Sequence, residues 1–465
     1  MIGKVEERGN VLWINGEGKG QAKRMNRGES VRALRRMFAL LSAFVFAFIL
    51  FAAIPVSAHS TIHKAESNHQ FTLQIYGNAN EDDKIDMRDV TYIKLVIFRK
   101  KPETKFCDAN YDGRVSMLDV VQTKLIIVGK EAKLTLIDQA DRTVTVPKPV
   151  ERVVTLFPSV MRIILHLGAV DKIVGVSERT HNYGENMVAV RAYPELEELP
   201  CAGNYNDPNL ETLVTLNPDV IFMYAGVSDV ADATQEKVGI PVVCLKPSPT
   251  GEEFSAPGGP FETWRLAGMV LGEKERARAE ELISYCKEEI EKVLRITSEI
   301  PEREKPTVYF CHAHRASDIT RAVTSYDPID IAGGINVAAE IRPDSGSVVV
   351  DISKEQIIKW NPDIILIHSF SKEPTLSIEK VLSDPTLQTV SAVKNKRIYY
   401  TKGWYIGWDP ATGLTECFYM AKLFHPTLFK DLDVEEEGNE ILKRFYGADG
   451  LYTWILERGN YYTWD

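Results

Sequence analysis

The stretch 213-LVTLNPDVIF-222 recurs in the second half of the chain as 357-IIKWNPDIIL-366. In both copies a helical pattern of apolar residues reaches Asn-Pro-Asp, and a run of mostly β-branched residues follows. Proline disfavours the helical conformation in the residue before it, so Asn-Pro is expected to end a helix. Each copy therefore predicts a helix followed by a buried strand, and the duplication predicts two similar lobes.

Further short apolar runs alternate with helical patterns on both sides of this repeat, which is typical of an α/β architecture with parallel sheets. We expect the first lobe at about 150–260 and the second at about 305–430. The stretch 261–299 contains no strand pattern and predicts one long connecting helix. Open parallel sheets bind ligands outside the carboxyl ends of their strands, so the expected site is the cleft between the lobes.

Four more segments accompany the repeat, namely 146-VPKPVERVV-154, 167-LGAVDKIVG-175, 331-IAGGINVA-338 and 351-DISKEQI-357. In this order they resemble the substrate-binding proteins of ABC importers for iron–siderophore, haem and vitamin B12-type corrinoid complexes. The resemblance covers residues 134–446. It implies two Rossmann-like lobes bridged by one helix, a metal-chelate ligand, a membrane permease and ATPase complex as partner, and no enzymatic activity. No G-x-S-x-G, H-E-x-x-H or P-loop motif occurs in the chain.

Loops that follow the predicted strands carry residues suited to a planar or chelated anion. Aromatic faces can pack on such a ligand, and arginine can pair with its carboxylates. Phe157, His314 and Trp408 are further candidates, although Arg315 beside His314 disfavours direct metal ligation by the His-Ala-His pair. The predicted ligand-binding residues are Ser159, Arg179, Tyr205, Tyr224, His312, Arg342, His368, Trp404 and Tyr405.

A second duplication lies near the start of the chain, where 78-NANEDDKIDMRD-89 is followed by 108-DANYDGRVSMLD-119. Both copies place oxygen-bearing side chains at loop positions 1, 3, 5, 9 and 12, and a backbone carbonyl serves at position 7. This is the spacing with which one short loop surrounds a calcium ion. We predict two Ca²⁺ ions and no organic cofactor. The ligands are Asn78, Asn80, Asp82, Lys84, Asp86 and Asp89 in the first loop, and Asp108, Asn110, Asp112, Arg114, Ser116 and Asp119 in the second.

The first loop departs from the pattern at position 6, where Asp83 replaces the glycine of the sharp turn. An apolar helical pattern follows each loop. This loop-then-helix duplication resembles the dockerin family over residues 70–130. The resemblance implies a small all-α, EF-hand-like module that calcium folds and that binds a cohesin-type partner. Partner contacts in that family come from loop positions 10 and 11, which are Met87, Arg88, Met117 and Leu118.

The ends of the chain carry their own signals. Residues 1–36 form a basic extension that we expect to be disordered, and residues 37–58 read as a signal peptide, or as a membrane anchor through 37–54. Residues 447–465 read as an aromatic C-terminal tail. The formal charge is −10, and basic residues cluster only in the N-terminal extension, so nucleic acid is not an expected partner. Six scattered cysteines form no CxxC pair and indicate no zinc site.

Together these patterns predict an exported solute-binding protein of an ABC importer, located at the cell surface or otherwise outside the cytoplasm. The module would tether it through calcium to a cohesin-bearing protein. The alternative is a cell-surface assembly protein in which the module carries the function and the lobes are structural. A ligand-induced thermal shift separates the two hypotheses.

Overall fold

The structure is a computed structural model that describes residues 71–246, 254, 259–313, 318–341, 348–369, 374–402 and 408–464. The predicted N-terminal extension and the predicted signal or anchor segment lie outside these ranges, as do Arg342, Trp404 and Tyr405. Within the described ranges, no helix combines the length and the hydropathy that a membrane span requires.

The duplicated loops each lead into an eleven-residue helix, α1 (Met87–Ile97) and α2 (Met117–Ile127). Asp86 and Ser116 cap these helices, and Asp89 and Asp119 complete a capping box in each. The two helices pack against each other around a small core that includes Val90, Ile93 and Val120. The duplication in the sequence is therefore a duplication in the structure.

An antiparallel hairpin follows, β1 (Lys133–Ile137) paired with β2 (Thr143–Pro147). Its residue Leu136 also bridges to Ile75, ahead of the first loop. Ile85 and Ile126 of the repeats belong to the same hydrophobic core as the first lobe. The repeat module is thus packed on the rest of the protein and is not separated from it by a linker.

The first lobe is a four-stranded parallel sheet in the order β4-β3-β5-β6, with helices on it. The short strands are buried on both faces because helices cover them. Its elements are β3 (Val153–Thr155), α3 (Pro158–His166), β4 (Ile173–Gly175), α4 (Glu178–Tyr183), α5 (Val188–Ala192), α6 (Leu210–Leu216), β5 (Val220–Tyr224), α7 (Ser228–Val238) and β6 (Val242–Leu245).

The predicted connecting helix is wrong in one respect: two helices occupy this stretch, α8 (Pro260–Leu271) and α9 (Glu273–Thr297). Gly272 separates them with a φ of 151°, a conformation open to glycine. The helices then pack on each other, with Arg265 Nε 2.7 Å from Glu280 Oε1. A Cβ on Gly268 would lie 3.0 Å from the Cα of Arg276, so glycine permits this close packing. We call this pair the α8–α9 hairpin.

The second lobe follows, with a sheet in the order β10-β8-β7-β11-β12 and the short β9 beside β7. Strands β7, β11 and β12 pair in parallel, whereas β8 pairs antiparallel with both β7 and β10, so this sheet is mixed and not purely parallel as predicted. Its elements are β7 (Thr307–Cys311), β8 (Arg321–Val323), α10 (Asp327–Ile331), β9 (Ile335–Asn336), β10 (Val349–Asp351), α11 (Lys354–Trp360), β11 (Ile364–His368), α12 (Ile378–Leu382), α13 (Ser391–Lys394) and β12 (Ile398–Thr401).

The repeated Asn-Pro-Asp has the same structural role in both lobes. Asn217 and Asn361 end their helices in the left-handed conformation, with φ of 43° and 48°. The aspartate then caps the neighbouring strand: Asp219 Oδ2 accepts hydrogen bonds from the backbone N–H of Arg152, and Asp363 Oδ2 accepts one from Thr307. The motif thus ends a helix and fixes the register of two strands at once.

Three helices complete the chain, α14 (Pro410–Phe424), α15 (Val434–Tyr446) and α16 (Leu451–Gly459). They return to the first lobe, where the hydroxyl of Tyr193 donates to the carbonyl of Tyr446 at 2.7 Å. The stretch predicted as a tail contains α16, and Tyr452 in that helix is buried against Gly438. Tyr452 and Tyr461 of this stretch therefore belong to the core.

Candidate functional site

Three aromatic rings meet at the carboxyl ends of the strands in the first lobe. Phe157 follows β3, Tyr224 ends β5, and Tyr205 lies in the loop before α6. The ring centroid of Phe157 lies 4.9 Å from that of Tyr205 and 5.4 Å from that of Tyr224. All three side chains are partly exposed. Sequence analysis placed these residues after different strands, and the fold brings them together.

A cation lies over this aromatic cluster. The guanidinium carbon of Arg179, in α4, is 5.6 Å from the centroid of Phe157 and 5.7 Å from that of Tyr205. Arg179 is half-buried, and no carboxylate of the described residues lies within ion-pair distance of it. Burial raises the pKa of Tyr224, so its hydroxyl stays protonated and can donate. The surface offers one positive charge, aromatic faces and a hydroxyl donor.

Two predicted contacts of this region are buried. Ser159 lies in the first turn of α3 and is only 2 % exposed. Trp408 is 1 % exposed and packs on Phe254 with ring centroids 5.0 Å apart. Neither side chain reaches the surface, because both lie among the core residues below it.

The second lobe contributes two stacked imidazoles. His312 follows β7 and His368 ends β11, which are neighbouring parallel strands. Their ring centroids are 4.9 Å apart, and the ring planes differ by 10°. Both side chains are nearly closed off from solvent. The other predicted contacts of this lobe, Arg342, Trp404 and Tyr405, lie outside the described residues, as does His314.

Sequence analysis missed a buried cluster of charged residues that joins the two lobes. Arg162 and His166 lie on α3 of the first lobe, whereas Lys402 follows β12 and Asp409 caps α14. His166 Nε2 is 3.4 Å from Asp409 Oδ1, and Glu416 accepts a hydrogen bond from the Tyr461 hydroxyl at 3.2 Å. Charged residues in the otherwise apolar helix 158-PSVMRIILH-166 were the signal available in the sequence.

Burial decides the protonation of this cluster. Desolvation lowers the pKa of Lys402 to about 8 and raises the pKa of Glu416 to about 8. It also lowers the pKa of His166. Burial alone would raise the pKa of Asp409, but His166, Lys402 and Arg162 nearby hold that pKa below its usual range. Asp409 is therefore the anion of the cluster.

The duplicated loops share a framework around their last aspartate. Asp89 and Asp119 each accept the backbone N–H of loop position 3 at 3.1 Å. Each also accepts the N–H of position 9, at 2.8 and 2.7 Å. The donor set of the second loop, with three aspartates, an asparagine, a serine and a backbone carbonyl, fits the oxygen-rich coordination of Ca²⁺. No three His, Cys, Asp or Glu side chains of the described residues alone are grouped to hold a metal, so the amide and carbonyl oxygens are needed.

The predicted partner contacts of the module are on its surface. Met87, Met117 and Leu118 are 55 %, 55 % and 62 % exposed, and Val121, one turn further along α2, is 51 % exposed. Met87 lies on α1 and the other three on α2, and apolar side chains exposed to this extent are suited to contact with a protein partner.

Comparisons with known proteins agree on one family. The model of the periplasmic binding protein family matches residues 153–404. The molybdate-binding protein MolA of Haemophilus influenzae is 27 % identical over 331 residues, which are 67 % of this chain and 90 % of that protein. A cobalamin-binding protein of Halobacterium salinarum is 24 % identical over 233 residues, 49 % of this chain and 57 % of that protein.

Solved structures resemble the two lobes as well. A periplasmic solute-binding protein of Veillonella parvula superposes with a TM-score of 0.54 at 22 % identity, covering 70 % of this chain and 96 % of that one. MolA with bound molybdate gives a TM-score of 0.53 at 24 % identity, covering 68 % and 98 %. At these identities the likeness concerns the fold.

Proposed function

Because the chain belongs to the periplasmic binding protein family, we propose that it captures an anionic, metal-containing solute between its lobes and delivers it to the permease and ATPase complex of an ABC importer. Its relatives are solute-binding proteins of ABC importers, and the chain is not an enzyme. The family works outside the cytoplasm, which agrees with the predicted export of this chain.

The observation that carries the proposal is Arg179 over Phe157 and Tyr205. A half-buried guanidinium without a carboxylate partner among the described residues retains its charge for a ligand, and low local dielectric strengthens that attraction. The aromatic faces beside it suit a ligand with a planar or apolar part. The stacked imidazoles of His312 and His368 supply polar nitrogen atoms from the other lobe.

The solute class that we propose is a metal chelate with carboxylate groups, such as an iron–siderophore, haem or a corrinoid. The named relatives bind cobalamin and molybdate, so a bare oxyanion is the competing ligand. The distinction is physical: an oxyanion needs Arg179 but little aromatic surface, whereas a chelate uses both. Substituting Arg179 and the aromatic residues in separate variants therefore shows whether the ligand is a chelate or an oxyanion.

The test is calorimetry and thermal shift with ferric citrate, haem, cyanocobalamin and molybdate as probes. We expect one probe to bind saturably to the wild type and 10- to 100-fold more weakly to Arg179→Ala, the loss of about 1.4–2.8 kcal/mol. Arg191→Ala, an exposed arginine of the same lobe, is the matched control and should bind as the wild type does. A chelate should also lose affinity in Tyr205→Ala. Equal affinity in Arg179→Ala would overturn the proposed site, and no binding by any probe would favour the surface-assembly hypothesis.

We further propose that the repeat module binds Ca²⁺ and holds the protein to a cohesin-type partner through Met87, Arg88, Met117 and Leu118. The support is the oxygen-rich loop sequence together with the exposed apolar side chains next to it. Binding of a cohesin domain to the full chain should be lost in excess EGTA and in Leu118→Asp. Retention of binding in both conditions would exclude calcium-dependent docking by this surface.

A further inference from the structure

The two loops differ in how their carboxylates are neutralised. In the second loop, Asp108, Asp112 and Asp119 take part in no ion pair with any described residue. The side chain of Asp119 is fully buried. Positions 1, 5 and 12 of the second loop are thus carboxylates without a protein cation, and oxygen ligands of this kind are those that Ca²⁺ takes.

The first loop has its own cation. Arg88, at position 11, places Nη2 2.9 Å from Asp82 Oδ2 and 2.9 Å from Asp86 Oδ2. Its Nε also donates to both carboxylate oxygens of Asp86, at 3.1 and 3.0 Å. Leu118 stands at the same position of the second loop and can neutralise nothing.

The side chain at loop position 1 accepts hydrogen bonds in the second loop and donates them in the first. In the second loop, the carboxylate of Asp108 accepts the N–H groups of Asp112 and Gly113, at 3.0 and 2.8 Å. In the first loop, the amide of Asn78 donates instead, through Nδ2 to the carbonyls of Leu73 and Asp82 at 2.8 and 2.6 Å. Asn78 Oδ1 is buried without a described donor. Position 1 of the first loop is therefore a neutral amide held by two backbone carbonyls, and not a carboxylate.

Position 6 differs in backbone conformation. Gly113 has a φ of +88°, which turns its N–H toward Asp108. Asp83 is not among the residues of positive φ, although the preceding position 4 is left-handed in both loops, at Glu81 and Tyr111. Asp83 therefore lacks the positive φ that Gly113 adopts at this position. A residue with a Cβ disfavours that conformation.

Asp83 has another partner. Its Oδ2 lies 3.2 Å from Arg265 Nη2 in α8, and Arg276 Nη2 in α9 donates to the carbonyl of Ile85 at 3.1 Å. The side chain of Ile85 is 1 % exposed in the core shared with the first lobe. Positions 6 and 8 of the first loop thus contact the α8–α9 hairpin, whereas Asp112, Gly113 and Arg114 of the second loop are exposed.

We propose that the chain binds one Ca²⁺ ion, in the second loop. The first loop binds no metal, because Arg88 neutralises its carboxylates, and it attaches the module to the α8–α9 hairpin. This replaces the two ions expected from the sequence. It rests on the proposal that the module binds calcium, and it assigns the two repeats different tasks: one repeat fixes the module and the other binds the ion.

The test counts ions on the full chain after treatment with chelator and buffer exchange, by calorimetric titration with CaCl₂ and by native mass spectrometry. We expect one Ca²⁺ per chain for the wild type, none for Asp112→Ala and one for Asp82→Ala, which alters the same position of the other loop. Circular dichroism of each variant in calcium confirms that the α/β lobes are folded.

The outcomes are distinct. Two ions on the wild type, with one lost in each variant, would overturn the assignment while leaving calcium binding intact. No ion on the wild type would reject calcium binding by the module altogether. One ion that is lost in Asp82→Ala and kept in Asp112→Ala would mean that the roles of the loops are reversed.

Discussion

The hydroxyl of Tyr446 donates a hydrogen bond of 2.9 Å to Asp409 Oδ2. Tyr446 ends α15 and is fully buried against the first lobe, whereas Asp409 caps α14 after the last strand of the second lobe. The bond therefore joins the C-terminal helices to the buried cluster of Arg162, His166 and Lys402. The cluster therefore contains residues from both lobes and contacts the C-terminal helices.

Removing this hydroxyl should destabilise the protein. Tyr446→Phe leaves a buried carboxylate with one donor fewer, and we expect a loss of about 1–3 kcal/mol in the free energy of unfolding. Tyr452→Phe is the matched control, because the buried Tyr452 hydroxyl has no hydrogen-bond partner among the described residues. Urea denaturation measures both. Equal losses in the two variants would show that the bond to Asp409 contributes nothing.

Glu416 should make stability depend on pH. Its pKa rises from 4.5 in the unfolded chain to about 8 in the folded protein, because burial disfavours the charged form. Between these values the folded state binds the extra proton, so stability is greatest below pH 4.5 and declines as pH rises toward 8. Each pKa unit corresponds to about 1.4 kcal/mol, so the decline amounts to a few kcal/mol at most.

Glu416→Gln keeps an acceptor for Tyr461 and cannot titrate. Urea denaturation at pH 5, 6 and 7.5 should therefore show a smaller decline with pH in this variant than in the wild type. Lys402 stays protonated over most of this window, since its pKa is about 8, and does not add to the slope. Parallel curves for the two proteins would contradict the raised pKa.

Gly438→Ala should disrupt the packing of α16. A Cβ at Gly438 would lie 2.4 Å from the Tyr452 ring, which is too close for any real contact. We expect a loss of about 1–3 kcal/mol from this overpacking, measured as a lower midpoint of urea unfolding. Glu440→Ala changes an exposed residue of the same helix and should stay within about 0.5 kcal/mol. A neutral Gly438→Ala would mean that residues 451–459 do not pack on α15.

The stacked imidazoles should contribute to ligand binding through their nitrogen atoms. His368→Phe preserves an aromatic ring beside His312 and removes the nitrogens, whereas His368→Ala removes both. If the nitrogens contact the solute, both variants should bind about tenfold more weakly, the loss of roughly one hydrogen bond. Calorimetry with the probe that binds the wild type measures this. Full affinity in His368→Phe would assign the pair to packing alone.

Much of the fold follows from local sequence. The Asn-Pro-Asp repeats predict a helix end and a strand start because proline restricts its neighbour, and Asn217 and Asn361 lie at helix ends in the structure. The aromatic half of the site was also predictable in part, since Tyr205 and Tyr224 follow elements with clear patterns. In both cases the signal lies within about ten residues.

The features that sequence analysis missed depend on contacts between distant residues. The helical pattern of 261–299 does not show that the chain reverses at Gly272, because no proline and no strand pattern interrupts the stretch. The pairing of His166 with Asp409 spans most of the two lobes. The sequence also carries no sign that Arg88 lies beside Asp82 and Asp86, since an arginine at position 11 can point in several directions.

Five residues separate the end of α2 at Ile127 from the start of β1 at Lys133, and the first loop is fixed to the α8–α9 hairpin as well. A partner that binds the module would consequently set the direction in which the cleft faces, and not only its distance from the membrane. Restricting rotation in this way lowers the entropic cost of meeting the permease and raises the effective concentration of correctly oriented receptor.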